Sequence, residues 1–275
     1  MRDDRSVESL LDRELACYCA SPYDSPAARW LLGGEFHPGG DVLTRRLAHL
    51  AGVRPGWRVL DVASGSGPTA RLLASELGAE VTGVELSRES IATARREAEA
   101  AALGDRARFV EGDAQALPVA TGAFDAVVCE CALCLFSGKA QAVAEMRRAL
   151  RPGGVVAIAD VTAELEELPA SLRGAVARVA CVGGALPRDG YPALLRAAGL
   201  DLVASESHDG ALAALAGRVE ARLRVARMLL SADGSADLIG EAIELVGEAQ
   251  RAIVGGTLGY RLFVAQRASP DSRAS

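Results

Sequence analysis

Residues 58–67 read Arg58-Val59-Leu60-Asp61-Val62-Ala63-Ser64-Gly65-Ser66-Gly67, an apolar run carrying one acid that passes directly into a glycine turn. Val59, Leu60 and Val62 supply strand-forming bulk, and the two glycines let the backbone turn tightly with no Cβ in the way. A helical pattern begins at once. Pro68 suits a first helical position, Leu72, Leu73 and Leu77 form an apolar stripe, and Gly78 is the stop. Strand, glycine turn and helix N-terminus together make a place where a ligand lies against backbone N–H groups and the positive end of a helix dipole.

Two cofactor classes use this architecture. Gly65-Ser66-Gly67-Pro68-Thr69-Ala70 fits the relaxed dinucleotide pattern of two glycines followed by Gly or Ala. Glu85, ending the strand VTGVE, suits ribose hydroxyls in either class. Three features favour S-adenosylmethionine. Asp61 lies just ahead of the turn, where a pyrophosphate binder gains nothing from an added negative charge. Glu111-Gly112-Asp113-Ala114 follows a third strand and is placed to reach an adenine amino group. Leu150-Arg151-Pro152-Gly153-Gly154 closes a helix and feeds the strand VVAIADV. In these motifs, taken in order from Val59 to Val161, the chain resembles the class I S-adenosylmethionine-dependent methyltransferases. The resemblance implies that Asp61 and Gly65, with Ala63 and Gly67, hold the methionine portion. It further implies Glu85 and Leu86 at the ribose and Asp113 and Ala114 at the adenine. Cys129 is counted among the cofactor positions, although its thiol is expected to pack into the sheet and be dispensable.

The 275 residues, half of them hydrophobic, suffice for one α/β domain with additions. The expected fold is a doubly wound, mostly parallel, seven-stranded sheet of Rossmann-like type. It divides into an N-terminal helical cap over 1–57, a methyltransferase domain over 58–268 and a disordered tail over 269–275. Within it, strands are expected at 107–110, 124–130 and 200–205, and a last one at 258–266. Helices are expected at 6–16, 88–103 (N-capped by Ser87), 138–150 and 191–198. Two late helices, 212–230 and 237–254, form an insertion over about 210–255 that should pack as a cover. The segment 36–44, with His37 and Thr44, is expected to fold over the bound cofactor.

No apolar run approaches the ~20 residues that span a bilayer. The charged start MRDDRSVESLLDREL lacks the apolar core of a signal peptide, so the chain is expected in the cytoplasm with its six cysteines reduced. A net charge of −6 argues against a nucleic-acid surface. The expected partner is a small-molecule or metalloid substrate, with the protein a monomer or homodimer and no nucleic-acid or membrane partner.

Methyl transfer asks for alignment of the acceptor and removal of its proton where it has one. No His, Asp or Glu stands at a strand end with an evident base role, which favours a soft acceptor. Cys129, Cys131 and Cys134 cluster at the carboxyl end of the fourth strand, where open α/β sheets bind ligands, and alternation puts Cys129 and Cys131 on one face. Cys181 lies in a segment expected to fold over the same crevice. Here Glu130-Cys131-Ala132-Leu133-Cys134-Leu135, with Lys139, and Ala180-Cys181-Val182-Gly183-Gly184-Ala185-Leu186 resemble the arsenite methyltransferases. That resemblance implies Cys131 and Cys181 as the substrate thiols, with Cys17 or Cys19 a candidate to join them; Cys134, in the same cluster, is a further candidate arsenic ligand. Trivalent arsenic is soft and takes thiolates as soft metals do. Alternatives stay open: structural cysteines in a methyltransferase of a small organic metabolite aided by His37, a zinc or redox role for the Cys131–Cys134 pair, and a non-catalytic S-adenosylmethionine-binding sensor.

Overall fold

The computed structural model describes residues 30–33, 37–173, 181–229 and 236–269. The expectations for 6–16, Cys17, Cys19, Phe36 and most of the tail lie outside the described residues. The core is a seven-stranded sheet of order β3-β2-β1-β4-β5-β7-β6. Its strands are β1 (Arg58–Val62), β2 (Glu80–Glu85), β3 (Ala107–Glu111), β4 (Phe124–Glu130), β5 (Leu150–Ala163), β6 (Leu200–Ser207) and β7 (Leu258–Arg267). Strands β1 to β5 pair in parallel, whereas β7 inserts antiparallel between β5 and β6. The order reverses between β1 and β4, and side by side their carboxyl ends open a crevice.

Helices cover both faces because strand residues alternate between two apolar clusters. On one face Val59, Val81, Ala126, Val128 and Leu262 pack against α1 (Gly40–Leu50), α2 (Pro68–Glu76) and α3 (Arg88–Ala100). On the other, Leu60, Val62, Val127, Cys129 and Phe263 pack against α4 (Lys139–Ala149) and α5 (Gly190–Ala197). Helix α2 opens as its sequence suggests, with Gly67 left-handed at φ 76° and Pro68 in the first turn. Ser87 caps α3 by accepting from the Ser90 N–H at 3.2 Å.

The late helices are α6 (Asp209–Leu229) and α7 (Ala236–Val254). They pack chiefly on each other; α6 buries no described side chain, and α7 buries only Ala252 and Ile253. The Asp209 carboxylate accepts from the Tyr260 N–H at 2.9 Å, fixing the start of α6 to β7. None of their described residues lines the crevice. Among the described residues no helix is long and apolar enough to cross a membrane.

Candidate functional site

The crevice takes in about 860 Å³ of space, open solvent at its mouth included. Three acids face it: Asp61 from β1, Glu85 from β2 and Glu130 from β4. Their convergence follows from strand parity. Asp61 shares a face with Val59, Glu85 with Val81, and Glu130 with Ala126 and Val128, all on the side of α1 to α3.

Each acid is held differently. The Glu85 carboxylate accepts from the N–H groups of Gly65 (2.9 Å), Leu86 (2.7 Å) and Ser87 (2.8 Å), tying the glycine turn to the end of β2. Gly65 sits at φ 52°, and a Cβ built there meets nothing within 4 Å, because it would stand in the empty crevice. Asp61 is 2% exposed, and its Oδ2 has no hydrogen-bond partner. Burial first, then the negative charges of Glu130 and Glu85, push its carboxyl well above the usual range. Glu130 accepts from the Thr69 hydroxyl at 2.6 Å and the Thr44 hydroxyl at 3.0 Å, and His37 Nε2 stands 3.9 Å away. His37 also lines the crevice and sits 3.3 Å from the Thr44 hydroxyl, so the segment before the sheet reaches the end of β4 through these two residues.

Beyond Glu130 the chain turns sharply. Cys131 adopts φ 51°, outside the strand, and its sulfur moves to the α1–α3 face, 3.6 Å from the Cys181 sulfur. Alternation had put Cys131 on one face with Cys129; that expectation fails because β4 ends at Glu130 and the left-handed residue resets the parity. Cys129 is fully buried on the opposite face and does not line the crevice, which corrects its place among the cofactor positions.

Cys181 is left-handed as well, at φ 65°, and its loop lies hard against the loop after β4. A Cβ at Gly184 would clash with the Cys134 carbonyl oxygen. Cys134 is buried, interacts with Cys181 and is absent from the crevice lining, which is formed by Cys131 and Cys181. Among the described residues no group of three or more His, Cys, Asp or Glu side chains is arranged to hold a metal ion, so the accessible thiol site is a pair. The Cys131 thiol is pushed up by its hydrogen bond with Cys181 and by burial, and the Cys134 thiol by burial and Cys181. Beneath them Asp160, wholly buried, accepts from the N–H groups of Cys134 (2.9 Å) and Val161 (2.8 Å) and so fixes the Cys131–Cys134 turn.

Asp113 and Ala114 lie in the loop after β3, outside the crevice lining, where the Asp113 carboxylate accepts from the Gln115 N–H at 2.8 Å. Sequence reasoning missed Glu130, Thr69 and Asp160. Glu130 carries a legible signal, an acid ending the strand beside β1.

Residues 59–154 match the family model described as a methyltransferase domain. The chain is 34% identical over 166 residues to the methyltransferase GfsG of Streptomyces halstedii, covering 60% of each chain. It is also 34% identical over 168 residues to the 27-O-demethylrifamycin SV methyltransferase of Amycolatopsis mediterranei (strain S699), covering 60% of this chain and 61% of that one. The chain thus spans about 60% of the length of these curated relatives. Its fold superimposes on that of the phosphoethanolamine N-methyltransferase 2 of Haemonchus contortus in complex with S-adenosyl-L-methionine. The TM-score is 0.74 at 20% identity, over 91% of this chain and 60% of that one. The segment that matches the methyltransferase-domain model takes in β1 to β4 and the start of β5, and so includes the strand ends that open the crevice.

Proposed function

We propose that the protein is an S-adenosylmethionine-dependent methyltransferase acting on a small acceptor bound beside Cys131 and Cys181. The chemistry of the donor set fits the cofactor. The orphaned Asp61 Oδ2 suits the amino group of the methionine portion, and a cation there relieves the cost of its buried charge. Glu85, with Oε1 taken by two N–H donors and Oε2 by one, keeps an acceptor site on Oε2 for a ribose hydroxyl, and the open space at Gly65 lets the cofactor approach bare backbone. When bound, the cofactor supplies an already activated methyl group. The chain's own residues then orient the two partners.

The acceptor reading that the geometry supports best is thiolate-bound trivalent arsenic, and the observation that carries it is the 3.6 Å separation of the Cys131 and Cys181 sulfurs on the crevice wall. Thiolate bonds near ~2.3 Å to one centre put neighbouring sulfurs at about this distance. Its hydrogen bond with Cys181 and its burial raise the Cys131 thiol, which therefore holds its proton until a soft centre displaces it. A small organic acceptor is the second reading. His37 on the crevice wall favours it, as does the organic acceptor named for the rifamycin relative.

The test is incubation with S-adenosylmethionine, a thiol reductant and arsenite, with methylated arsenic followed by mass spectrometry. Cys131→Ser and Cys181→Ser should each abolish the product while cofactor affinity stays near that of the parent. Undiminished arsenite methylation in both serine variants removes Cys131 and Cys181 as the arsenic-binding thiols. Absence of product in the parent protein, with intact cofactor binding, moves the organic acceptor to the front.

A further inference from the structure

Resting on the cofactor reading above, the order of groups along the crevice fixes where the reacting centre must lie. Glu85 on β2 suits the ribose, and the thiol pair lies at the far side, beyond β4. A methyl group passing to an acceptor at Cys131 has to sit between them, at the carboxyl ends of β1 and β4. Glu130 stands there, one residue before Cys131, and presses on Asp61 more strongly than Glu85 does. Its side chain is 4% exposed and is clamped by hydroxyls from two helices, Thr44 on α1 and Thr69 on α2.

The chemistry of a sulfonium gives such a group a use. Unlike an ammonium, a sulfonium cannot shed a proton when it is desolvated, so its charge needs a permanent partner. Among the described lining residues there is no Phe, Tyr or Trp to offer a cation–π face, and no Lys or Arg to neutralise the acids. A role for Glu130 as general base fits less well, because both of its oxygens already accept from hydroxyl donors.

We propose that Glu130 is the counter-charge of the sulfonium and thereby sets the preference for the charged methyl donor over its neutral demethylated product. Asp61 recognises the methionine end and Glu85 the sugar, groups that donor and product share. Glu130 alone among the three reads the difference between them.

The experiment is calorimetric titration of the full-length protein and of Glu130→Gln with S-adenosylmethionine, S-adenosylhomocysteine and sinefungin, the last carrying an ammonium in place of the sulfonium. In Glu130→Gln, affinity for S-adenosylmethionine and sinefungin should fall about tenfold, equivalent to ~1.4 kcal/mol, while affinity for S-adenosylhomocysteine holds. Glu130→Asp, which keeps the charge, should retain most of the preference. Equal weakening of all three ligands in Glu130→Gln, as a merely structural role predicts, or no change in any, overturns the inference alone. A parent protein that binds none of the three removes the cofactor reading and this one with it.

Discussion

Glu85 joins two jobs in one carboxylate, since it gathers three backbone N–H groups around the glycine turn and faces the crevice where ribose hydroxyls are expected. The two jobs separate by substitution. Glu85→Gln keeps one acceptor oxygen and should weaken S-adenosylmethionine binding by about 1.5–3 kcal/mol, the range for hydrogen bonds to a charged group. Glu85→Ala should lose that affinity and lower the melting temperature as well, because the Gly65, Leu86 and Ser87 donors lose their partner. Calorimetry showing the parent's affinity in both variants would remove Glu85 from the ribose site. The acid at the end of β2 could be named from sequence, because a strand end two elements after the glycine turn is fixed by strand order. The interaction of Glu130 with Thr44 and Thr69 could not, because it joins positions 86 and 61 residues apart.

Among the elements, the contact that makes the thiol site is between two loops, one after β4 and one after β5. Gly184 is the close point, with room for a hydrogen and none for a methyl group above the Cys134 carbonyl. Gly184→Ala should part the loops and separate the sulfurs, at a stability cost of about 1–3 kcal/mol, as for overpacking. Binding of phenylarsine oxide, which bridges paired thiols, should fall at least about tenfold (~1.4 kcal/mol), while S-adenosylmethionine still binds. Unchanged phenylarsine oxide affinity would show that the pair does not depend on this approach. The strands and helices of 58–163 follow their sequence pattern closely, because period-2 and period-3.6 apolar spacing records burial directly. The turn at Cys131 was unreadable. A left-handed cysteine carries no local sequence signal, and that one dihedral angle decided which face the thiol occupies.

Taken whole, the molecule carries buried acid beneath its site, and this sets the pH dependence of its stability. Burial, then the Cys181 thiol, raises the Asp160 carboxyl from 3.8 to about 7. The folded state therefore binds this proton more tightly than the unfolded chain does. Stability from this group is fully present below about pH 4 and is lost as pH rises towards 7, at up to ~1.4 kcal/mol per pH unit. Asp61 acts in the same direction. Glu145 acts oppositely: the Arg148 side-chain hydrogen bond holds its carboxyl low, so its contribution is lost as pH falls through the folded value. Urea unfolding should thus show greatest stability on the acid side of neutrality, with Asp160→Asn flattening the decline between pH 5 and 7. Parallel slopes in parent and variant would exclude Asp160 as the source.

The sequence by itself determined the sheet, its glycine turn and the identity of the acids at the ends of β1 and β2, because these depend on periodicity and on residues close together along the chain. It also named Cys131 and Cys181 as a pair. Only the tertiary structure decided that, among the described residues, Cys131 and Cys181 are the cysteines lining the crevice, that Cys129 faces the opposite core, and that Glu130 joins Asp61 above the switch point. Those outcomes depend on loop approach, on one left-handed turn and on helices α1 and α2 packing over the same strand ends, and each couples residues that no local pattern connects.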